Sequence, residues 1–230
     1  GVKRILFYSS VNSLELFKTQ KFYQIDISIL KDLGYDVLLS NRIFDSLLFW
    51  KYDILFSYFY RYSFFAALLA KCFGKKTYFT GGIDSLDSDY ASAFNYKIQA
   101  LFFKLCYWVA DSCIIVSQSD LKNIFKVSSL KKKLSYSEHV INTKLFIADV
   151  PKEKIFTSIV WMGDEGNVVR KGVDKALQIF AELKKIPEFV DYRFVIIGRK
   201  GEGEVLVRSI IDKYNLKGSV ELKGEVSEED

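Results

Sequence analysis

The sequence predicts an α/β protein built on parallel sheets, and three observations carry that expectation. Short apolar runs of strand length alternate with longer segments of helical periodicity along the whole chain. Gly34 and Gly74 stand where two helical segments should stop, each just before the next apolar run. Pro151, set among Asp149, Val150 and Lys152, interrupts the alternation and marks a linker, so the 230 residues divide into domains at 1–150 and 151–230.

The elements follow in order. Ile5 to Tyr8 is the first strand, and apolar periodicity from about Leu14 to Leu33 predicts one helix before the strand Asp36 to Leu39. Asp53 to Phe56 is a strand, Tyr62 to Cys72 a helix, and Thr77 to Phe79 a strand that runs into Thr80-Gly81-Gly82-Ile83-Asp84. Tyr96 to Val109 is a long apolar helix, Ser112 to Val116 a buried strand and Gln118 to Lys126 a short helix. The basic segment Lys131-Lys132-Lys133 and the run Ile141 to Phe146 then lead to the second domain. Strands alternating with helices imply parallel pairing through right-handed crossovers.

The stretch from Ile159 to Leu183 most constrains function. Ile159 to Met162 reads as a short buried strand, Gly163 to Val169 as a polar loop, and Val173 onward as a helix with Val173, Leu177 and Phe180 on one face. Arg170, Lys171 and Gly172 are thus expected at a helix N-terminus, where free backbone N–H groups and the positive end of the dipole favour an anion. The dipole contributes about 0.3–1 kcal/mol, and each charge-assisted hydrogen bond about 1.5–3 kcal/mol. A basic pair before a helix is often only a solvated loop, but a second unit repeats the pattern. The strand Arg193 to Ile197 runs into Gly198-Arg199-Lys200-Gly201-Glu202-Gly203 and then a helix from Val205 to Tyr214. Glycine and base stand twice at the carboxyl end of a strand, where open α/β sheets bind ligands.

Composition narrows the classes. Residues 1–150 hold 19 Lys and Arg against 13 Asp and Glu, and residues 151–230 hold 14 against 15. The first part is therefore basic, which suits an anionic acceptor or a membrane surface and can equally be incidental. Cys72, Cys106 and Cys113 lie in apolar runs without C-x-x-C spacing and read as small buried hydrophobes, which favours a reducing, cytoplasmic setting. Gly1-Val2-Lys3-Arg4 passes straight into the first strand without a signal peptide, and the longest apolar run, Phe64 to Ala70, is too short to span a bilayer. No carboxylate and histidine cluster suggests a metal site. A dinucleotide dehydrogenase is disfavoured because no G-x-G-x-x-G follows the first strand.

The aromatic surplus collects around Trp50, Lys51, Tyr58, Tyr60, Arg61 and Tyr62 and in the segment Phe94 to Ala110. Core packing is the plainer reading. The mixture of rings and bases also suits a membrane interface or a lipid-linked acceptor. Single-stranded nucleic acid, which stacks on aromatics in basic grooves, does not suit the α/β pattern.

The runs VVRKGVDKALQIFAELKK, YRFVIIGRKGEGEVL and KGSVELKGEVSEED, in that order and spacing, closely resemble the donor-binding domain of retaining GT-B glycosyltransferases of the family 4 type. ADSCIIVSQSDLKNIF, KKTYFTGGID and INTKLF resemble segments of the same family's first domain more loosely. The resemblance implies a GT-B fold of two Rossmann-like parallel-sheet domains facing a cleft. Residues 1–150 would form the acceptor side, and 151–230 the first part of the nucleotide-sugar donor domain. It implies transfer of a sugar from a UDP- or GDP-sugar to a glycan, lipid-linked or protein acceptor, with retention, without a metal or other cofactor, and with peripheral membrane contact allowed.

Carried onto this chain, Gly163, Arg170, Lys171, Gly172, Gly198 and Arg199 would hold the donor diphosphate, with Lys171 in the family's lysine position. The family often has a histidine where this chain has Gly81, so contact to the transferred sugar falls to Asp84. His139, the single histidine, reads as a surface residue of the connecting segment. The chain stops at Glu228-Glu229-Asp230, before the family's E-x7-E glutamate pair. The expectation is therefore an incomplete donor site and an open sheet edge that favours oligomers. Alternatives are a non-catalytic nucleotide- or glycan-binding relative or partner subunit, and another nucleotide-sugar enzyme such as an epimerase.

Overall fold

The computed structural model describes residues 1–141, 143 and 151–226. The chain falls into two compact units, Gly1–Phe146 and Ile147–Asp230. The expected family turn at Ile141 to Phe146 lies largely outside the described residues, and the terminal Glu228-Glu229-Asp230 wholly so.

The first unit is a six-stranded parallel sheet of β1 (Arg4–Tyr8), β2 (Asp36–Ser40), β3 (Ile54–Tyr58), β4 (Lys76–Thr80), β5 (Ser112–Ile115) and β6 (Leu134–Tyr136). Their order is β2-β1-β3-β4-β5-β6, so the winding reverses between β1 and β3. Strand side chains alternate between two cores. Phe7 and Tyr58 pack beneath α1 (Leu16–Thr19) and α2 (Lys21–Asp32) through Phe17, Tyr23 and Ile27. Leu6, Leu55, Phe79 and Cys113 pack on the other face against α3 (Ser63–Cys72), α4 (Ala93–Val109) and α5 (Gln118–Val127). Fully buried Ala66, Ala67 and Ala70 let α3 lie close on the sheet.

Several local expectations change. The helix expected over 14–33 is broken at Gln20, whose backbone is extended. The break lets Phe17 and Tyr23 both edge onto Phe7, at 5.7 and 6.1 Å between centroids, so aromatic packing overrides periodicity. Two 3-10 turns, Ile43–Leu47 and Phe49–Lys51, for which no element was expected, connect β2 to β3. The three-residue edge strand β6 follows the lysine run and was not legible; short, Lys-flanked edges resist stray pairing. Cys106 and Cys113 are buried, and burial pushes both thiols up, Cys113 to about 12. Cys72 is exposed, against expectation, because it ends α3 on the solvent side. Of the aromatic and basic cluster, Tyr58 and Tyr60 are core, whereas Trp50 and Tyr62 are exposed.

The second unit pairs β7 (Ile155–Ile159), β8 (Arg193–Ile197) and β9 (Val220–Gly224) in parallel, in that order. Helices α6 (Glu165–Arg170), α7 (Val173–Leu183) and α8 (Gly203–Lys213) cover one core that contains Met162, Val173, Leu177, Phe180, Ile196 and Val207. The first strand starts four residues before the expected Ile159, and Ile159 itself is 78% exposed. Pairing continues past β7, Val160 N–H donating to Ile197 at 2.8 Å and Met162 N–H to Arg199 at 3.0 Å, which buries Val160 and Met162.

Candidate functional site

In both units the loops that carry the expected residues leave the carboxyl ends of parallel strands. In the second unit, Gly163 to Val169 is not a plain loop. Asp164 accepts from Asn167 N–H at 2.7 Å and caps α6, so Arg170 is the last residue of that helix and Lys171 its C-cap. Arg170, Lys171 and Gly172 stand directly before α7, as expected, but a short helix rather than a loop leads into them, and so they occupy a corner between two helices. Gly172, with φ +70°, makes the corner and caps α7. An added Cβ at Gly172 would meet nothing within 4 Å, so the residue is set by backbone conformation at an open site. Arg170 donates to Asn167 Oδ1 at 2.8 Å. Among the described residues, Lys171 and Lys200 have no ion-pair partner, and both are exposed. Asp174, in the first turn of α7, keeps Oδ1 buried without a hydrogen bond.

Gly198, Gly201 and Gly203 are required by the chain itself. A Cβ at Gly198 would collide with the Val160 carbonyl, one at Gly201 with that of Met162, and one at Gly203 would come 2.8 Å from Val168. The β8–α8 loop is thus pressed onto the β7 loop, which brings Arg199 to the same edge as Lys171's corner.

Trp161 is the residue the sequence did not single out. Its indole lies across Gly163, where an added Cβ would sit 2.5 Å from the ring, and the Arg199 guanidinium stacks over it at 4.9 Å. The residue stays 51% exposed. The sequence held only its position, two residues before Gly163 at the end of an apolar run.

The carboxyl edge of the first unit gathers acidic residues after β4 and β5. Gly81 (φ +105°) follows β4 and has Phe59 and Tyr58 within 3.2 Å of an added Cβ. Phe59, at φ +69°, is a left-handed aromatic, held by its N–H donating to Thr80 at 2.8 Å. Asp84, exposed, opens a 3-10 turn beyond the glycine pair. Asp120, unanticipated, is buried beside it and accepts from Ile83 N–H at 3.2 Å. Burial pushes the Asp120 carboxyl above the ordinary range, the Ile83 and Ser117 hydrogen bonds oppose this, and the charges of Asp84 and Asp87 add to it. Ser117 caps α5, accepting from Asp120 N–H at 3.0 Å, while the Asp120 carboxyl turns to the β4 loop.

His139 lies elsewhere. With Asp26, Leu30, Phe56, Tyr78 and Ile114 it lines a cavity of about 430 Å³ on the α2 side of the sheet. Burial raises the Asp26 carboxyl, whereas the Tyr58 hydroxyl, which donates to it, and the His139 charge lower it. His139 and Asp84 are not brought together as neighbours by any described contact. Among the described residues no group of three or more His, Cys, Asp and Glu is arranged to hold a metal ion.

No family model matches the chain, and no curated protein matches it in sequence. Solved structures do. Sucrose-phosphate synthase from Thermosynechococcus elongatus superposes with a TM-score of 0.67 at 14% identity, covering 99% of this chain and 71% of that one. Anabaena HepE in complex with UDP and glucose gives 0.61 at 10% identity, covering 98% and 70%. TarM gives 0.56 at 16% identity over 76% of this chain and 33% of its own length. All three are GT-B glycosyltransferases, and the two parallel α/β units of this chain accordingly have the GT-B glycosyltransferase fold.

Proposed function

We propose that the chain belongs to a glycosyltransferase of the family 4 type that moves a sugar from a UDP- or GDP-sugar to a glycan, lipid-linked or protein acceptor, with retention and without a metal. The observation that carries this reading is that Lys171 and Lys200, at the strand ends of the second unit, have no ion-pair partner among the described residues. Of the four acidic residues there, by contrast, Asp164 caps α6 and Glu204 binds Arg208, leaving Glu165 and Glu202 exposed. Arg170 and Lys171 stand at the corner between α6 and α7 beside Gly172, and Arg199 and Lys200 follow β8. A departing diphosphate carries the charge that develops in such a transfer, and fixed cations at its position lower the barrier. Lys171 and Arg170 neutralise it, and Arg199 is the further diphosphate ligand. Gly163 and Gly198 hold the two loops against each other, so Trp161 and Arg199 form one surface beside the anion. In the first unit, Asp84 accepts hydrogen bonds from hydroxyls of the transferred sugar, and positioning supplies much of the remaining rate.

Calorimetric titration with UDP, GDP and their sugar conjugates tests the reading, with NAD as control and Lys171→Ala beside the wild type. One diphosphate should bind and weaken by about 1.5–3 kcal/mol without Lys171. The same titration should quench Trp161 emission, read as the difference from Trp161→Phe. A chain that binds no nucleotide diphosphate, or binds it equally with and without Lys171, sinks the donor site as drawn.

A further inference from the structure

The outer surface of the first unit's larger helical layer is apolar where a soluble helix is normally polar. On α4 the exposed stripe is Phe94, Lys97, Leu101, Lys104 and Trp108, at successive spacings of three and four residues. Phe94 is 72% exposed, Leu101 56% and Trp108 68%, while the opposite stripe, including Phe103 and Cys106, is core. A helix that is hydrophobic all round is ordinarily buried all round. The patch continues sideways. Exposed Tyr62 and Phe65 reach Phe102 of α4 at 6.3 and 6.2 Å, and Phe49 stacks on Phe73 at 4.5 Å next to exposed Trp50.

Charge decides what covers it. The two 3-10 turns, α3 and α4 carry Lys51, Lys71, Lys97 and Lys104, of which Lys71 pairs with Asp111 at 2.9 Å, against one acidic residue, Asp45, which accepts from Ser40 Oγ at 2.7 Å. A protein partner would have to bury Lys97 and Lys104 in the middle of the apolar stripe, and lysine is depleted from the centres of such interfaces. At a bilayer surface the same arrangement is satisfied throughout. Rings and Leu101 enter the headgroup boundary, the Trp indole sits at the interface, and the lysine stems extend their ammonium groups to lipid phosphates. No described helix is long and apolar enough to cross a membrane, so the contact is lateral.

We infer that the face formed by the two 3-10 turns, α3 and α4 docks on a bilayer containing anionic lipid. The inference is independent of the donor site in the second unit. Its test is co-sedimentation of the whole chain with phosphatidylcholine vesicles, with and without phosphatidylglycerol. The chain should bind the anionic vesicles, weaken as salt is added, and bind phosphatidylcholine alone poorly. Lys97→Gln with Lys104→Gln should lower affinity on the order of tenfold, and Leu101→Ser with Trp108→Ser should remove most binding. Lys18→Gln with Lys31→Gln, on α1 and α2, should change little. Unfolding midpoints of all variants are compared first, and the lysine pair keeps the test decisive should the apolar pair fold poorly. Failure to bind anionic vesicles overturns the inference, as does binding that neither α4 pair alters. So does a dimer in sedimentation equilibrium that Trp108→Ser dissociates, which would make a second copy the occupant.

Discussion

The two sheets end in loops that arrange charge differently, and neither unit's overall charge foretells the arrangement. Residues 1–150 carry the excess of Lys and Arg, yet their carboxyl edge gathers Asp84, Asp87 and Asp120. Residues 151–230 are close to neutral, and theirs sets Arg170, Lys171, Arg199 and Lys200 among Asp164, Glu165, Glu202 and Glu204. In the first unit much of the excess lysine lies on the outer helices instead. Net charge therefore describes what a domain's surface attracts over distance, and the few groups at the strand ends describe what its site can hold.

That contrast can be broken at its frame. Gly198→Val should destabilise the second unit by about 3 kcal/mol or more, because the side chain meets the Val160 carbonyl and φ is +139°. Urea unfolding followed by Trp161 emission should show the loss, while the first unit's transition stays put. Lys171→Ala should cost about 1.5–3 kcal/mol in diphosphate binding and leave the unfolding curve unchanged, since its side chain has no described partner. A matched fall in stability would show that the cation is structural.

On the first unit, Asp111→Ala removes acceptors for Thr77 N–H at 2.8 Å and Lys71 at 2.9 Å and should cost about 1–3 kcal/mol. Burial acts to raise the Asp111 carboxyl, but the Lys71 and Thr77 hydrogen bonds and the Lys76 charge outweigh it and hold it low. Its contribution is therefore present at neutral pH and is lost as pH falls through its depressed folded-state value. Acid titration of the unfolding midpoint, with the variant alongside, checks this.

The smallest effect has the opposite sign. Because the folded state raises the Asp120 carboxyl, ionising it costs stability, which is greatest when the group is protonated and falls as pH rises through the raised value. Asp120→Asn keeps an acceptor for Ile83 N–H and should be the more stable protein at neutral pH, with the difference closing toward acid. A variant less stable at every pH would mean that the ionised carboxylate is favoured there, and the acidic edge would need redrawing.

The strand and helix order was largely legible because burying one face of each element forces a period on the residues. Val173, Leu177 and Phe180 lie inward on α7 as the spacing required. Legibility failed where local pattern and tertiary contact disagree. The 14–33 periodicity is intact, but packing on Phe7 divides it at Gln20. The shift of β7 to Ile155–Ile159 follows from pairing with Arg193–Ile197, a partner 38 residues away in register, which a window on the chain does not contain. At the candidate site, the basic residues were visible as a glycine-and-base pattern, whereas Trp161 and Asp120 were not, since each matters through a residue distant in sequence, Arg199 and Ile83.

By itself the sequence determined the α/β class, the parallel alternation and the residues that stand at strand ends, because these depend on periodicity and on glycines within a few residues. Tertiary structure alone decided which of those residues meet. It turned Arg170 and Lys171 into a corner between helices, laid Trp161 under Arg199, folded Asp120 back to Asp84's loop, and left the Phe94 to Trp108 stripe of α4 facing outward. The reason is physical. Secondary structure is selected by near neighbours, whereas electrostatic and aromatic contacts across a fold depend on distances that only packing sets.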